Sequence, residues 1–308
     1  MALYQGKEET LLINWHKEVF SYGHGEGILL GQVNGMPVRI TPGQTEKSII
    51  VFTTGQSKTG KWILVNAALQ AIHSGESLLI FDERGRILRC LKHIFEGEGY
   101  SLKILNEPLP RVPANREYLK NLTGETIMNR RPAAGEKCAY FYIQQGELNG
   151  YKTLKTLFLN LGLPHQVRKD GASHGLNILV DKISGLGPIP FLNRYLSGEE
   201  LPELKFTIAT NGLEELRETY PQEWQNVLNA CAAVLFTDIK DYETANYLAN
   251  LTARSLPRKE TDCLSPNWNL IEQEKIDVVI NGFYTSVDAI DYRDHPVFKR
   301  FLERSDHS

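Results

Sequence analysis

At 308 residues the chain has room for one large α/β domain or two small ones, with a sizeable core. Its 34 Lys+Arg against 37 Asp+Glu leave a net charge of −3; with 42% hydrophobic and 23% charged residues, the composition excludes a disordered, collagen-like or fibrous chain. The near-neutral balance also excludes a strongly basic nucleic-acid-binding domain, so DNA contact would need a local patch such as Arg130-Arg131.

In chain order, short apolar runs alternate with helical spacing. Residues 48–53 read as a buried strand, and Ile63, Leu64, Ala67, Ala68 and Ile72 give helical periodicity over 61–73. A strand at 77–82, a helix at 86–97 and a strand at 102–105 follow. After an inserted stretch at 107–136, rich in Pro, Arg and Asn, come a strand at 139–143, a helix at about 148–161 and a strand at 176–181. Strands at 205–209 and 233–236, a helix at 241–251, a long connection at 255–269 and a last strand at 276–280 complete the pattern. Continuously apolar strands joined through helices predict a doubly wound, mostly parallel sheet covered on both faces. A single domain over 1–308 is expected.

No apolar run approaches the roughly 18 residues of a spanning helix, and the start Met-Ala-Leu-Tyr-Gln-Gly-Lys-Glu-Glu lacks a signal pattern. Cys90, Cys138, Cys231 and Cys263 are scattered, as reduced cysteines of a cytoplasmic protein are. The eight histidines show no ligand spacing, and no metal site is expected.

The strand at 48–53 runs into Thr54-Gly55-Gln56-Ser57-Lys58-Thr59-Gly60-Lys61-Trp62. Gly-x-x-x-x-Gly-Lys between a strand and a helix is the pattern of a phosphate loop, whose backbone N–H groups and helix N-terminus attract phosphate. Lys61 would reach the β- and γ-phosphates. The following position normally supplies a hydroxyl for Mg²⁺, and Trp62 supplies none. A strand–turn–helix junction that no longer takes a ligand fits the same text. The strand ending in Asp181 would supply the second half of such a site, but the next residue is Lys182, which cannot orient an attacking water as a carboxylate does.

These segments together resemble the type IV coupling proteins of bacterial conjugation, the TraG/TraD class of hexameric DNA-translocating ATPases. Gly27-Ile28-Leu29-Leu30-Gly31-Gln32-Val33-Asn34-Gly35 is similar to the segment before that family's phosphate loop. Ser77–Arg86 resembles its apolar strand with Asp-Pro-Lys-Gly-Glu. Leu179-Val180-Asp181-Lys182-Ile183-Ser184-Gly185-Leu186-Gly187-Pro188-Ile189-Pro190 resembles Leu-Leu-Asp-Glu-Phe-x-Asn-Leu-Gly-x-Ile-Pro. Thr244-Ala245-Asn246-Tyr247-Leu248 and Asp291-Tyr292-Arg293-Asp294-His295-Pro296 resemble its Thr-Ala-x-Tyr-Leu and its closing Tyr-x-x-His-Pro.

The resemblance implies a RecA-like P-loop NTPase fold, with the 107–136 insert in place of the family's all-α domain. It implies ATP or ADP held by Gly55, Gln56, Ser57, Lys58, Thr59, Gly60, Lys61, Trp62, Asp181 and Lys182. If the fold holds, Lys58, Lys61 and Lys182 converge. The departures fall on chemistry: Lys58 replaces a loop glycine, Trp62 the hydroxyl, Lys182 the glutamate; Asn211 stands for the sensing Gln, and Glu199-Glu200-Leu201-Pro202-Glu203 for an arginine-bearing stretch. Mg²⁺ binding and hydrolysis are therefore not expected. The pattern implies a pseudo-ATPase component of conjugative DNA transfer, in the cytoplasm or held at the inner membrane by partners. Those partners would be type IV secretion components, a true coupling protein, DNA or further copies of the chain. A working ATPase motor and an interaction module without nucleotide remain open alternatives.

Overall fold

The structure, a computed structural model, describes residues 20–22, 29–40, 48–54, 57–105, 137–142, 176–185, 187–189, 191–198, 204–255, 275–280 and 283–305. Its strands are β1 (Phe20–Tyr22), β2 (Leu29–Val33), β3 (Met36–Ile40), β4 (Ile49–Phe52), β5 (Ser77–Phe81), β6 (Ser101–Leu105), β7 (Cys138–Tyr142), β8 (Leu176–Val180), β9 (Leu204–Thr210), β10 (Ala233–Phe236), β11 (Lys275–Ile280) and β12 (Phe283–Asp288). The helices are α1 (Lys58–His73), α2 (Arg86–Gly97), α3 (Leu192–Leu196), α4 (Leu213–Thr219), α5 (Trp224–Asn229), α6 (Tyr242–Ser255) and α7 (Pro296–Ser305).

The described strands form one sheet in the order β1-β3-β2-β12-β11-β10-β4-β9-β8-β5-β7-β6. From β10 to β6 every pairing is parallel, and from β10 outward to β1 every pairing is antiparallel. The parallel strands are predominantly apolar because both faces are covered, with half-buried Asn177 of β8 and Lys205 of β9 as exceptions. In β4, Ile49 and Val51 face one core, while Ile50 and Phe52 face the other. The first core takes α1, α2 and Val297 of α7; the second takes apolar residues of α3, α4, α5 and α6. Phe52 and Phe236, paired across β4 and β10, stack with centroids 5.0 Å apart.

The predicted strands and helices on described residues are present, with ends shifted by up to four residues. The strand at 276–280 is not the last, because β12 pairs along its length with β11. The N-terminal β1, β2 and β3 were also absent from the sequence reading. β2 and β3 are joined by Asn34-Gly35, both with left-handed φ (51° and 75°), the combination a type I′ hairpin requires. That dipeptide was a readable signal. β12 alternates buried Val287 with exposed Ser286 and Asp288, so it lacks the continuous apolar run of its parallel neighbours. Gly31 fits where β2 meets β12: a Cβ there would lie 2.4 Å from Val287 Cγ2. The insert at 107–136, the helix at about 148–161, residues 199–203 and the 255–269 connection beyond Ser255 lie outside the described residues.

Candidate functional site at the carboxyl edge of the parallel sheet

The described residues singled out in the sequence gather at the C-terminal ends of the parallel strands, where open α/β sheets place their sites. β9 lies between β4 and β8, so the phosphate-loop strand and the strand ending in Asp181 are two strand spacings apart, about 10 Å. Thr53 N–H donates to Thr210 O, Thr237 N–H to Phe52 O and Asp181 N–H to Phe81 O, each at 2.9 Å. These bonds carry the strand register into the loops. Gly55 and Gln56 lie outside the described residues.

The helix after the loop begins at Lys58, three residues earlier than periodicity predicts. Lys58 stands where the resemblance places a glycine. It lacks glycine's freedom at positive φ and is a good helix former, so Lys58-Thr59-Gly60 wind into the first turn. Ser57 is the N-cap, its Oγ accepting from Gly60 N–H at 2.7 Å. The same hydroxyl donates to Asp238 Oδ2.

Gly60 sits directly over Thr53, where a Cβ would come 2.3 Å from Thr53 Oγ1. That hydroxyl is buried and makes no hydrogen bond. Gly60→Ala is therefore expected to cost about 1–3 kcal/mol despite alanine's better helix propensity. The Thr53→Ala/Gly60→Ala pair should recover most of it; thermal denaturation of Gly60→Ala, Thr53→Ala and the double variant checks this.

The lysines expected to converge each face a different partner. Lys58 Nζ lies over the Trp62 ring, 4.3 Å from its centroid, and Lys61 Nζ lies 5.6 Å from that of Tyr292. Lys182 Nζ is 3.8 Å from Glu215 Oε1. Trp62 is buried in the core shared with α2 and the antiparallel strands. The segment holding Tyr292 is fixed to α1 by Asn66, whose Nδ2 donates to Ile290 O at 2.7 Å.

Asp181 is not an open carboxylate. Arg86 Nη2 donates to both of its oxygens, at 2.8 and 3.0 Å, and the acid's side chain is only 4% exposed. Arg86 follows Asp82, whose buried carboxylate accepts from the N–H groups of Arg86, Ile87 and Leu88, each at 2.8 Å, and so caps α2. Burial pushes the Asp82 carboxyl pKa up, and the Asp181 charge adds to that, while the three amide bonds pull it down.

Sequence reasoning missed Arg86, although it occupies the position where the resemblance puts a glutamate. Glu214 is exposed, but Glu215 accepts from Thr210 Oγ1 at 3.1 Å and Asn211 N at 2.5 Å. Asp238 carried no signal beyond its place after a strand.

Mg²⁺ needs oxygen ligands. Asp181 has both oxygens engaged by a guanidinium and position 62 offers an indole, so these residues do not fit the ion. A phosphate suits α1 better in charge, because its first turn holds Lys58 and Lys61 and no acid, but the cap places a carboxylate there.

A family model described as the TraM recognition site of TraD and TraG matches residues 176–262. No curated protein sequence matches the chain. Among solved structures, the bacterial conjugative coupling protein TrwBΔN70 in its unbound monoclinic form is similar at a TM-score of 0.53 and 11% identity, over 87% of this chain and 89% of that one. Plasmid coupling protein TrwB with ADP and Mg²⁺ gives 0.52 and 10%, over 87% and 90%. TrwB with the ATP analogue ADPNP gives 0.52 and 11%, over 89% and 92%. At these identities the likeness is one of fold: a coupling-protein-like P-loop NTPase fold with a mixed, mostly parallel sheet. The family model covers 176–262, and the likeness to the TrwB structures is one of fold.

Proposed function

We infer that this chain is a coupling-protein relative that keeps the nucleotide-binding scaffold without hydrolysing ATP, and serves conjugative DNA transfer by a type IV secretion system as an adaptor or regulatory subunit. The observation that carries this reading is the Arg86–Asp181 pair. Metal-assisted phosphoryl transfer needs an acidic group free to hold the metal and a group that orients water. Here a fixed guanidinium occupies the first, and Lys182, turned to Glu215, stands in place of the second. When bound, a nucleotide would bring its own phosphate charge. Lys58, Lys61 and the N-terminus of α1 are the groups that would hold it, within a single-domain chain.

The matched family model supports a protein partner recognised through 176–262. We place the chain in the cytoplasm, at the inner membrane only through such partners. Among the described residues no helix is long and apolar enough to cross a membrane. Purified protein with Mg-ATP should release phosphate no faster than background, and Lys61→Ala should leave that rate unchanged. Mg²⁺-dependent turnover abolished by Lys61→Ala would instead establish a working motor.

A further inference from the structure

α1 carries Asn66, Gln70 and His73 on one face, since residues three and four apart in a helix are neighbours. Asn66 ties that face to Ile290 O, and Arg39 of β3 donates through Nη1 to Gln70 Oε1 at 2.9 Å. Basic groups gather here in depth. His73 and Arg300 are exposed, whereas Arg39 and His295 are buried. The charges of Arg39, His73 and Arg300 all bear on the His295 ring, and among the described residues no carboxylate does. Arg300 Nε itself lies 3.8 Å from Glu98 Oε1, an oxygen that Arg304 approaches to 3.1 Å.

The imidazole shows what the cluster lacks. Nδ1 accepts from Val297 N–H at 3.2 Å, which puts the ring proton on Nε2. Nε2 lies across the ring from that bond and so points away from the first turn of α7. It is a buried donor with no acceptor. The carboxyl end of α1 favours a cation, which accounts for His73. It does not account for buried Arg39, nor for a donor set among positive groups. A water molecule would satisfy the donor but not the charge.

We propose that the carboxyl end of α1, with β3 and α7, forms a seat for a small oxyanion, a phosphate or carboxylate group. His295 Nε2–H donates to a ligand oxygen, Arg39 supplies charge from the buried side, and His73 and Arg300 stand at the mouth. The bound anion ties three elements together and stabilises the fold according to its concentration. The seat lies about 18 Å along α1 from Lys61, at ~1.5 Å per residue. It therefore rests on neither the phosphate-loop reading nor the absence of ATP hydrolysis.

The test follows the His295 ring by NMR of the full chain, isotope-labelled at histidine, with its signals identified by their loss in His295→Gln. Inorganic phosphate, and separately acetate, is titrated at an ionic strength held constant with sodium chloride. Phosphate should shift the His295 Nε2 signal saturably and raise the thermal midpoint. Arg300→Gln should bind about tenfold more weakly, the worth of one charge-assisted hydrogen bond, and His73→Gln should also weaken binding. Lys299→Gln, which removes a neighbouring α7 charge paired with Asp294, should bind as the unmodified chain does. Tighter binding of phosphate than of acetate identifies a phosphate seat, the reverse a carboxylate seat, and equal binding a general oxyanion seat. No saturable shift with either anion, equal affinity in all chains, or an equal loss in Lys299→Gln would overturn the proposal. A rise in midpoint with phosphate but no shift at His295 would place the anion elsewhere and overturn it too.

Discussion

Replacing Arg86 with alanine should cost the fold about 3 kcal/mol, because it leaves a buried carboxylate without its partner. Asp181 loses both of its guanidinium hydrogen bonds and stays close enough to buried Asp82 for their like charges to interact. Arg86→Lys keeps the charge but not the planar fork that meets both oxygens, so it should recover only part of the loss. Arg86→Ala combined with Asp181→Ala should lose less than the two single changes added together, with a coupling of about 2 kcal/mol. Urea midpoints for the four chains measure this. Additive single losses would mean the pair holds nothing together.

Acid should destabilise the protein through His295. The imidazole is 2% exposed, Nδ1 accepts from Val297 N–H at 3.2 Å, and Nε2 is buried without a partner. Burial first, then the charges of Arg39, His73 and Arg300, lowers its pKa to about 3. In the unfolded chain it titrates near the ordinary value of about 6.5. Between these two values the unfolded state binds the proton that the folded state refuses. Stability is therefore complete above about pH 6.5 and falls by about 1.4 kcal/mol per pH unit below it, or about 2 kcal/mol by pH 5. His295→Gln retains an oxygen for Val297 N–H and cannot titrate, so its urea midpoint should lack this part of the slope between pH 7 and 5. Identical slopes in both chains would remove His295 as the source.

The parallel half of the sheet was legible because burial on both faces forces continuous apolar text. α2 was readable to the residue, with Ile87, Leu88, Leu91, Ile94 and Phe95 along one face. The antiparallel half was not, since β12 alternates buried and exposed residues instead of running continuously apolar. At the site, the sequence showed which hydrolytic groups were replaced but not what the replacements do. Trp62 reads as a lost hydroxyl and is a core residue in the structure. Lys182 reads as a neighbour of the phosphates and pairs with Glu215. Asp238 and Arg86 act through residues far away in the chain, the one 181 positions from Ser57 and the other 95 from Asp181, and no local pattern records such pairs.

The meeting of β2 with β12 also constrains how the protein is made. Gln32 and Asp288 are partners in the sheet yet roughly 250 residues apart, so the N-terminal hairpin waits for nearly the whole chain before its neighbour exists. During that wait the edge of β2 that later meets β12 is unpaired, a surface on which strands of other chains can add. The order of synthesis thus leaves β12 to seal the N-terminal hairpin. A chain that stops short of β12 would leave both the N-terminal hairpin and β11 with open edges.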